Sequence, residues 1–318
     1  MILDILLLIA GLLMIIFGAD FLVDGASAIA RKLGVSEFVI GLTIVGFGTS
    51  CPELVVSVKG AIAGNSDVSI GNVVGSNIFN SLMILGVTAV IAPLAITASN
   101  RKRDIPLTFS VTALLCLLGM KSTIFGVGNN GISRIEGIVF LLIFAVYIYL
   151  CFKFDKSSLA EETEQKQTGT FKALLLIAAG LAGLIFGGDF FVDSATSIAG
   201  RIGVSDKFIA ITLLAGGTSL PELATCIVAA ARKKGQLALG NILGSNVFNI
   251  LLILGTSALI HPLSFASMNL VDMGVLLLSI ILIFTACYTG KKNVLDRFDG
   301  TLLLLCEAGY MAWLFFSM

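Results

Sequence analysis

The chain has 318 residues, of which 57% are hydrophobic and only 13% charged, and its mean hydropathy is +1.03. Soluble domains carry about 25% charged residues, so an ordinary water-soluble fold is excluded. The 20 basic and 20 acidic residues cancel, leaving no basic excess for nucleic acid. One histidine, His261, allows no His-rich metal site or HExxH protease, and no nucleophile–His pair for an enzyme.

A membrane-spanning helix needs about 20 mostly apolar residues. Spans are predicted over residues 2–23, 37–62, 71–93, 105–120, 135–152, 171–192, 206–231, 240–262, 270–289 and 299–317. No Lys or Arg precedes Arg31, so the first stretch reads as a retained span and not a cleaved leader. Ten spans put both termini on one side. If that side is extracytoplasmic, fifteen Lys and Arg fall in cytoplasmic segments and five outside, which obeys the positive-inside rule. The expectation is a multi-pass protein of the cell membrane, in contact with the lipid bilayer, with both termini outside. The polar stretch 153–172 is then a cytoplasmic linker between residues 1–152 and 173–318.

Those halves repeat. GADFLVDGASAIARKLGVS from Gly18 matches GGDFFVDSATSIAGRIGVS from Gly187. GTSCPEL from Gly48 matches GTSLPEL from Gly217, and GNVVGSNIFN from Gly71 matches GNILGSNVFN from Gly240. Each pair is 169 residues apart. Five spans per half invert the second copy in the membrane, as in many secondary transporters. The fold class expected is an all-α polytopic membrane protein of ten helices in two inverted five-helix repeats.

The best-preserved stretches are polar ones inside apolar spans. Glu53 and Glu222 sit near mid-span, where a carboxylate is costly and marks function by default. Pro52 and Pro221 break the helix beside them and free backbone carbonyls. Thr49, Ser50, Thr218 and Ser219 add hydroxyls, so the set offers the hard oxygens that suit Ca²⁺, and Na⁺ is also a hard cation. A competing reading is local: Ser50-x-x-Glu53 and Ser219-x-x-Glu222 both fit a capping box. Ser76 and Asn80 share a helix face, as do Ser245 and Asn249; interhelical hydrogen bonding is the plainer role for the asparagines. Asp20, Asp24, Asp189 and Asp193 read as interfacial residues or as lining of the ion path. Glu307, without a repeat mate, reads as a satisfied or snorkelling acid.

GTSxPEL followed by GNxxGSNxFN, twice, resembles the alpha repeats of the cation/Ca²⁺ antiporter superfamily, especially prokaryotic sodium/calcium exchangers. The resemblance implies that Glu53 and Glu222 are central cation ligands and that Thr49 and Thr218 coordinate by hydroxyl and carbonyl. It implies Na⁺ sites completed by Ser50, Ser76, Ser219 and Ser245 with carbonyls near Gly46 and Ala215, and Asn80 in the central site. Spans one and six would slide as a gate. The position of Asn249 is often Asp in relatives, including potassium-dependent ones; Asn here weakens the case for K⁺ transport and leaves two central carboxylates. If three Na⁺ exchange for one Ca²⁺, as the family implies, one net charge crosses per cycle, worth about 2.3 kcal/mol per 100 mV. The implied function is Na⁺/Ca²⁺ antiport exporting Ca²⁺, with Ca²⁺/H⁺ antiport the alternative and a passive channel a third. Ca²⁺ and Na⁺ are cargo; neither a resident cofactor nor an obligate protein partner is expected.

Overall fold

The computed structural model describes residues 2–126, 128–154, 169–201, 215–266, 268–288 and 293–317. Most of the expected linker 153–172, and the first part of the span expected at 206–231, lie outside them.

The first helix, α1 (Ile2–Leu33), runs ten residues beyond the expected span. Its last turns keep burying small residues, Ala26, Ala28 and Ala30, and Gly34 ends it at a positive φ of 64°. Then come α2 (Glu37–Thr49) and α3 (Cys51–Ile62), bent by 50° relative to one another. The next helix, α4 (Ser66–Ile91), starts before the expected residue 71, because the Asn65 side chain accepts a hydrogen bond from the Val68 N–H and caps it. In α5 (Ile105–Gly119), Pro106 stands in the first turn, where its missing N–H costs little. A short α6 (Lys121–Phe125) and the long α7 (Arg134–Phe154) finish the first half.

The helices that follow are α8 (Thr170–Arg201), the three-residue α9 (Ala215–Gly217), α10 (Leu220–Ala231), α11 (Gly235–Ile260), α12 (Leu270–Ala286) and α13 (Arg297–Ser317). Among the described residues six helices, α1, α4, α7, α8, α11 and α13, are long and apolar enough to cross a membrane, and the bent α2–α3 pair makes a seventh. The shorter α10 and α12 are apolar as well.

The long pair α1 and α8 packs antiparallel, backbone against backbone. A Cβ on Gly18 would fall 2.9 Å from the Gly180 carbonyl oxygen, and one on Gly11 would fall 2.7 Å from that of Gly187. Only glycine allows so close an approach. At the centre of the bundle lies α11, with every residue from Leu237 to Leu251 buried. This includes Asn241, Ser245, Asn246 and Asn249, so the helix carries its polar side chains into the protein interior.

Among the described residues two strand pairs join stretches distant in sequence. β1 (Leu94–Ala95) pairs antiparallel with β4 (Val294–Leu295), and β2 (Gly131–Ile132) with β3 (Leu263–Ser264). Each pair takes one strand from each half, and β1 and β3 are themselves 169 residues apart.

Candidate ion-binding site

Each helix break is built the same way. Ser50 has φ −86°, ψ 9° and Ser219 has φ −92°, ψ 7°, the sparsely allowed bridge region. Pro52 and Pro221 then stand in the first turns of α3 and α10. Neither serine caps its own helix with its side chain, so the capping-box reading fails. Each reaches across to the other half instead. Ser50 Oγ donates to Glu222 Oε1 at 2.8 Å, and Ser219 Oγ donates to Glu53 Oε1 at 3.2 Å.

Both glutamates are 1% exposed. Ser245 Oγ lies 3.4 Å from Glu222 Oε1 and 3.0 Å from Ser50 Oγ. Thr49 and Thr218 flank Glu222 and Glu53 respectively. The Thr49 hydroxyl is 3.1 Å from the Val45 carbonyl. The Gly46 carbonyl accepts the Ser50 N–H at 3.1 Å. Ala215 opens the described segment that leads to Thr218. Ser76 is buried on α4, but the serine hydroxyls that bond a glutamate carboxyl are those of Ser50, Ser219 and Ser245.

The asparagines lie where the helical register loosens. Asn80 begins a π-helical turn (Asn80–Ile84), and Asn249 lies in another (Phe248–Leu254); such turns gather at functional sites. Asn249 Nδ2 donates to Asn77 Oδ1 at 2.9 Å, and Asn77 Nδ2 to the Asn246 carbonyl at 3.2 Å. The interhelical role expected of the asparagines therefore accounts for Asn77 and half of Asn249. Asn80 makes no such bond.

Among the glutamates of the breaks and the asparagines of these turns, five buried oxygens have no hydrogen-bond partner: Glu53 Oε2, Glu222 Oε2, Asn80 Oδ1, Asn249 Oδ1 and Asn246 Oδ1. Leaving such a group unpaired costs about 1–3 kcal/mol, more when charged. Carboxylate and amide oxygens are the ligands a hard cation takes, so a bound ion would offset that cost. Among the described residues no three His, Cys, Asp or Glu come together. Two carboxylates and neutral oxygens are the donor set on offer.

Sequence reading missed Asn72 and its mate Asn241. Asn72 Nδ2 donates to the Glu53 carbonyl at 3.0 Å and to Ser57 Oγ at 2.9 Å. Asn241 Oδ1 lies 3.2 Å from the Thr49 hydroxyl. Their signal was present, since both follow the first glycine of the repeated motif. Glu307 also departs from expectation. It is 1% exposed and neither carboxyl oxygen has a partner, so it is neither satisfied nor snorkelling.

A cavity of about 170 Å³ reaches the breaks from one side. Its lining includes Asp189 and Asp193 of α8 and, deeper, Pro52, Thr218 and Pro221. On α1 the equivalent pair is engaged: Arg232 Nη2 lies 2.7 Å from Asp20 and Nη1 2.5 Å from Asp24. Lys234, next in that corner, donates to Ser27 Oγ at 2.9 Å, and burial holds its ammonium below the usual lysine range.

The sodium/calcium exchanger protein family matches residues 3–153 and 172–316. The chain belongs to that family. It is 36% identical to the putative antiporter CaxA of Alkalimonas amylolytica, over 97% of this chain and 98% of the relative. It is 33% identical to the sodium/calcium exchanger MaX1 of Methanosarcina acetivorans, over 98% of each. Its fold matches solved structures of the sodium–calcium exchanger NCX_Mj. One, soaked with 2.5 mM Na⁺ and 1 mM Sr²⁺, gives a TM-score of 0.84 at 32% identity and 98% coverage of both chains. Another, soaked without Na⁺ and Ca²⁺, gives 0.85, with 98% of this chain and 99% of the other covered.

Proposed function

We propose that this multi-pass membrane protein is a Na⁺/Ca²⁺ antiporter that works by alternating access, with Ca²⁺ moving outward. The observation that carries this reading is the reciprocal pairing of Ser50 with Glu222 and Ser219 with Glu53. It draws two buried carboxylates into one oxygen-lined centre. Two ionised glutamates carry −2, which one Ca²⁺ or two Na⁺ neutralise. Cargo of either kind therefore satisfies the same groups, and the two compete. Glu53 and Glu222 act as central ligands, assisted by Thr49, Thr218, Ser50, Ser219, Ser245, Ser76, Asn80 and Asn249, with carbonyls near Gly46 and Ala215.

The proposed architecture is ten spans in two inverted halves, 1–152 and 173–318, joined by a cytoplasmic linker. The two separately matched stretches, 3–153 and 172–316, support that division. The strand pairs that take one member from each half support it as well. Both termini lie outside the cell membrane, on the strength of the charge bias.

The test is Ca²⁺ uptake into proteoliposomes loaded with Na⁺, against K⁺-loaded controls, with Glu53→Gln and Glu222→Gln beside wild type. Uptake that requires internal Na⁺ and is lost in both variants is expected. Uptake driven equally by internal acid without Na⁺ would replace this reading with Ca²⁺/H⁺ antiport.

A further inference from the structure

The repeat-related acidic pairs on α1 and α8 are treated differently. Asp20 lies two residues past Gly18 and Asp189 two past Gly187, toward opposite ends of the antiparallel seam. Asp189 and Asp193 line the cavity that leads to Thr218 and Pro221, and among the described residues neither has an ion-pair partner. Asp20 and Asp24 hold the two arms of the Arg232 guanidinium, at 2.7 and 2.5 Å, and Lys234 adds a second cation 3.8 Å from Asp24. Spacing of four residues stacks the two carboxylates on one helix face, which suits the planar fork of an arginine. The sequence explains the asymmetry. The positions 169 residues before Arg232 and Lys234 are Ala63 and Asn65, so neither position carries a cation to do the same for α8; Lys59 stands one turn earlier, in the last turn of α3.

We propose that Arg232 is a positioning residue that makes the two faces of the exchanger unequal. It ties α1 to the corner between α10 and α11 and holds the ion entrance on that face shut, while the face of Asp189 and Asp193 stands open. A cation arriving on the Arg232 face must displace a guanidinium already bound to Asp20 and Asp24. A cation on the other face meets two carboxylates that hold no cation among the described residues. The closed face therefore shows the weaker apparent affinity, for reasons outside the central site. This inference rests on the exchanger reading above.

The experiment compares inside-out and right-side-out membrane vesicles, measuring half-saturating Ca²⁺ and maximal exchange rate on each face. The variants are Arg232→Ala, which copies Ala63, and Arg232→Lys. In Arg232→Ala the half-saturating Ca²⁺ on the Arg232 face is expected to fall about threefold, the weight of a partly exposed ion pair. The opposite face stays within error, and Arg232→Lys lies between. The pair Arg232→Asp with Asp24→Arg is expected to restore the wild-type difference between faces. An equal change on both faces, or no change on either, overturns the proposal while leaving the exchanger reading intact. Absence of Na⁺-dependent exchange in wild-type vesicles overturns both. Should Arg232→Ala fail to fold, Arg232→Gln provides the same comparison.

Discussion

Ser50 and Glu222 are 172 residues apart in sequence and 2.8 Å apart in space, and Ser219 and Glu53 mirror them at 3.2 Å. Each serine thus orients the carboxylate of the opposite half. Hydrogen bonds to a charged group contribute about 1.5–3 kcal/mol. Ser50→Ala is expected to raise the half-saturating Na⁺ for exchange by about tenfold or more, at unchanged protein yield. Na⁺-dependent thermal stabilisation measured in a double-mutant cycle with Glu222→Gln, the partner of this serine, would locate the effect. A Ser50→Ala variant with wild-type Na⁺ dependence would show that the contact does not hold the site.

Asn249 spends its amide N–H on Asn77 Oδ1 at 2.9 Å. Asn249→Asp replaces that donor with an acceptor and buries a third charge nearby. The loss is expected to be at least about 1–3 kcal/mol, read as a lower midpoint of thermal unfolding in detergent. Raising Ca²⁺ should recover part of it, since a ligand that binds only the folded state stabilises by mass action.

The α1–α8 seam leaves no room for a side chain. A Cβ on Gly180 would lie 2.6 Å from the Leu22 nitrogen. Gly180→Val is therefore expected to force the two helices apart and slow exchange severely. Na⁺-dependent thermal stabilisation, which reports the central site, should survive. Loss of both together would place the seam in folding and not in transport.

Glu307 provides the contrasting case. Both its oxygens are buried without partners, so Glu307→Gln removes a desolvated carboxyl group and no hydrogen bond. Thermal stability is expected to stay level or rise, with Na⁺-driven Ca²⁺ uptake retained. A loss of exchange in this variant would assign Glu307 to transport.

The glutamates, the breaks at Pro52 and Pro221 and most helix positions were legible in the sequence, because intramembrane charge and mid-span proline stand out against an apolar background. The direction of Ser50 and Ser219 was not. A local motif looks identical whether the serine caps its own helix or reaches another, and only the packing that brings Glu222 of α10 to Ser50 and Glu53 of α3 to Ser219 decides. The π-helical turns at Asn80–Ile84 and Phe248–Leu254 have no composition of their own. Arg232 was counted only as a loop cation, since its partners lie more than 200 residues earlier.

The two helices of the glycine seam, α1 and α8, are each 32 residues long, which at 1.5 Å per residue is about 48 Å. The hydrocarbon layer is about 30 Å thick. The pair must therefore lean or protrude, and with their backbones in contact the two helices do so as one strut. Thickening the bilayer stands that strut up and thinning it lays it down. Acyl-chain length thereby becomes a mechanical input to the tilt of the helices that carry Asp20, Asp24, Asp189 and Asp193. The same protein should turn over at different rates in short-chain and long-chain lipids with no change in its ion ligands.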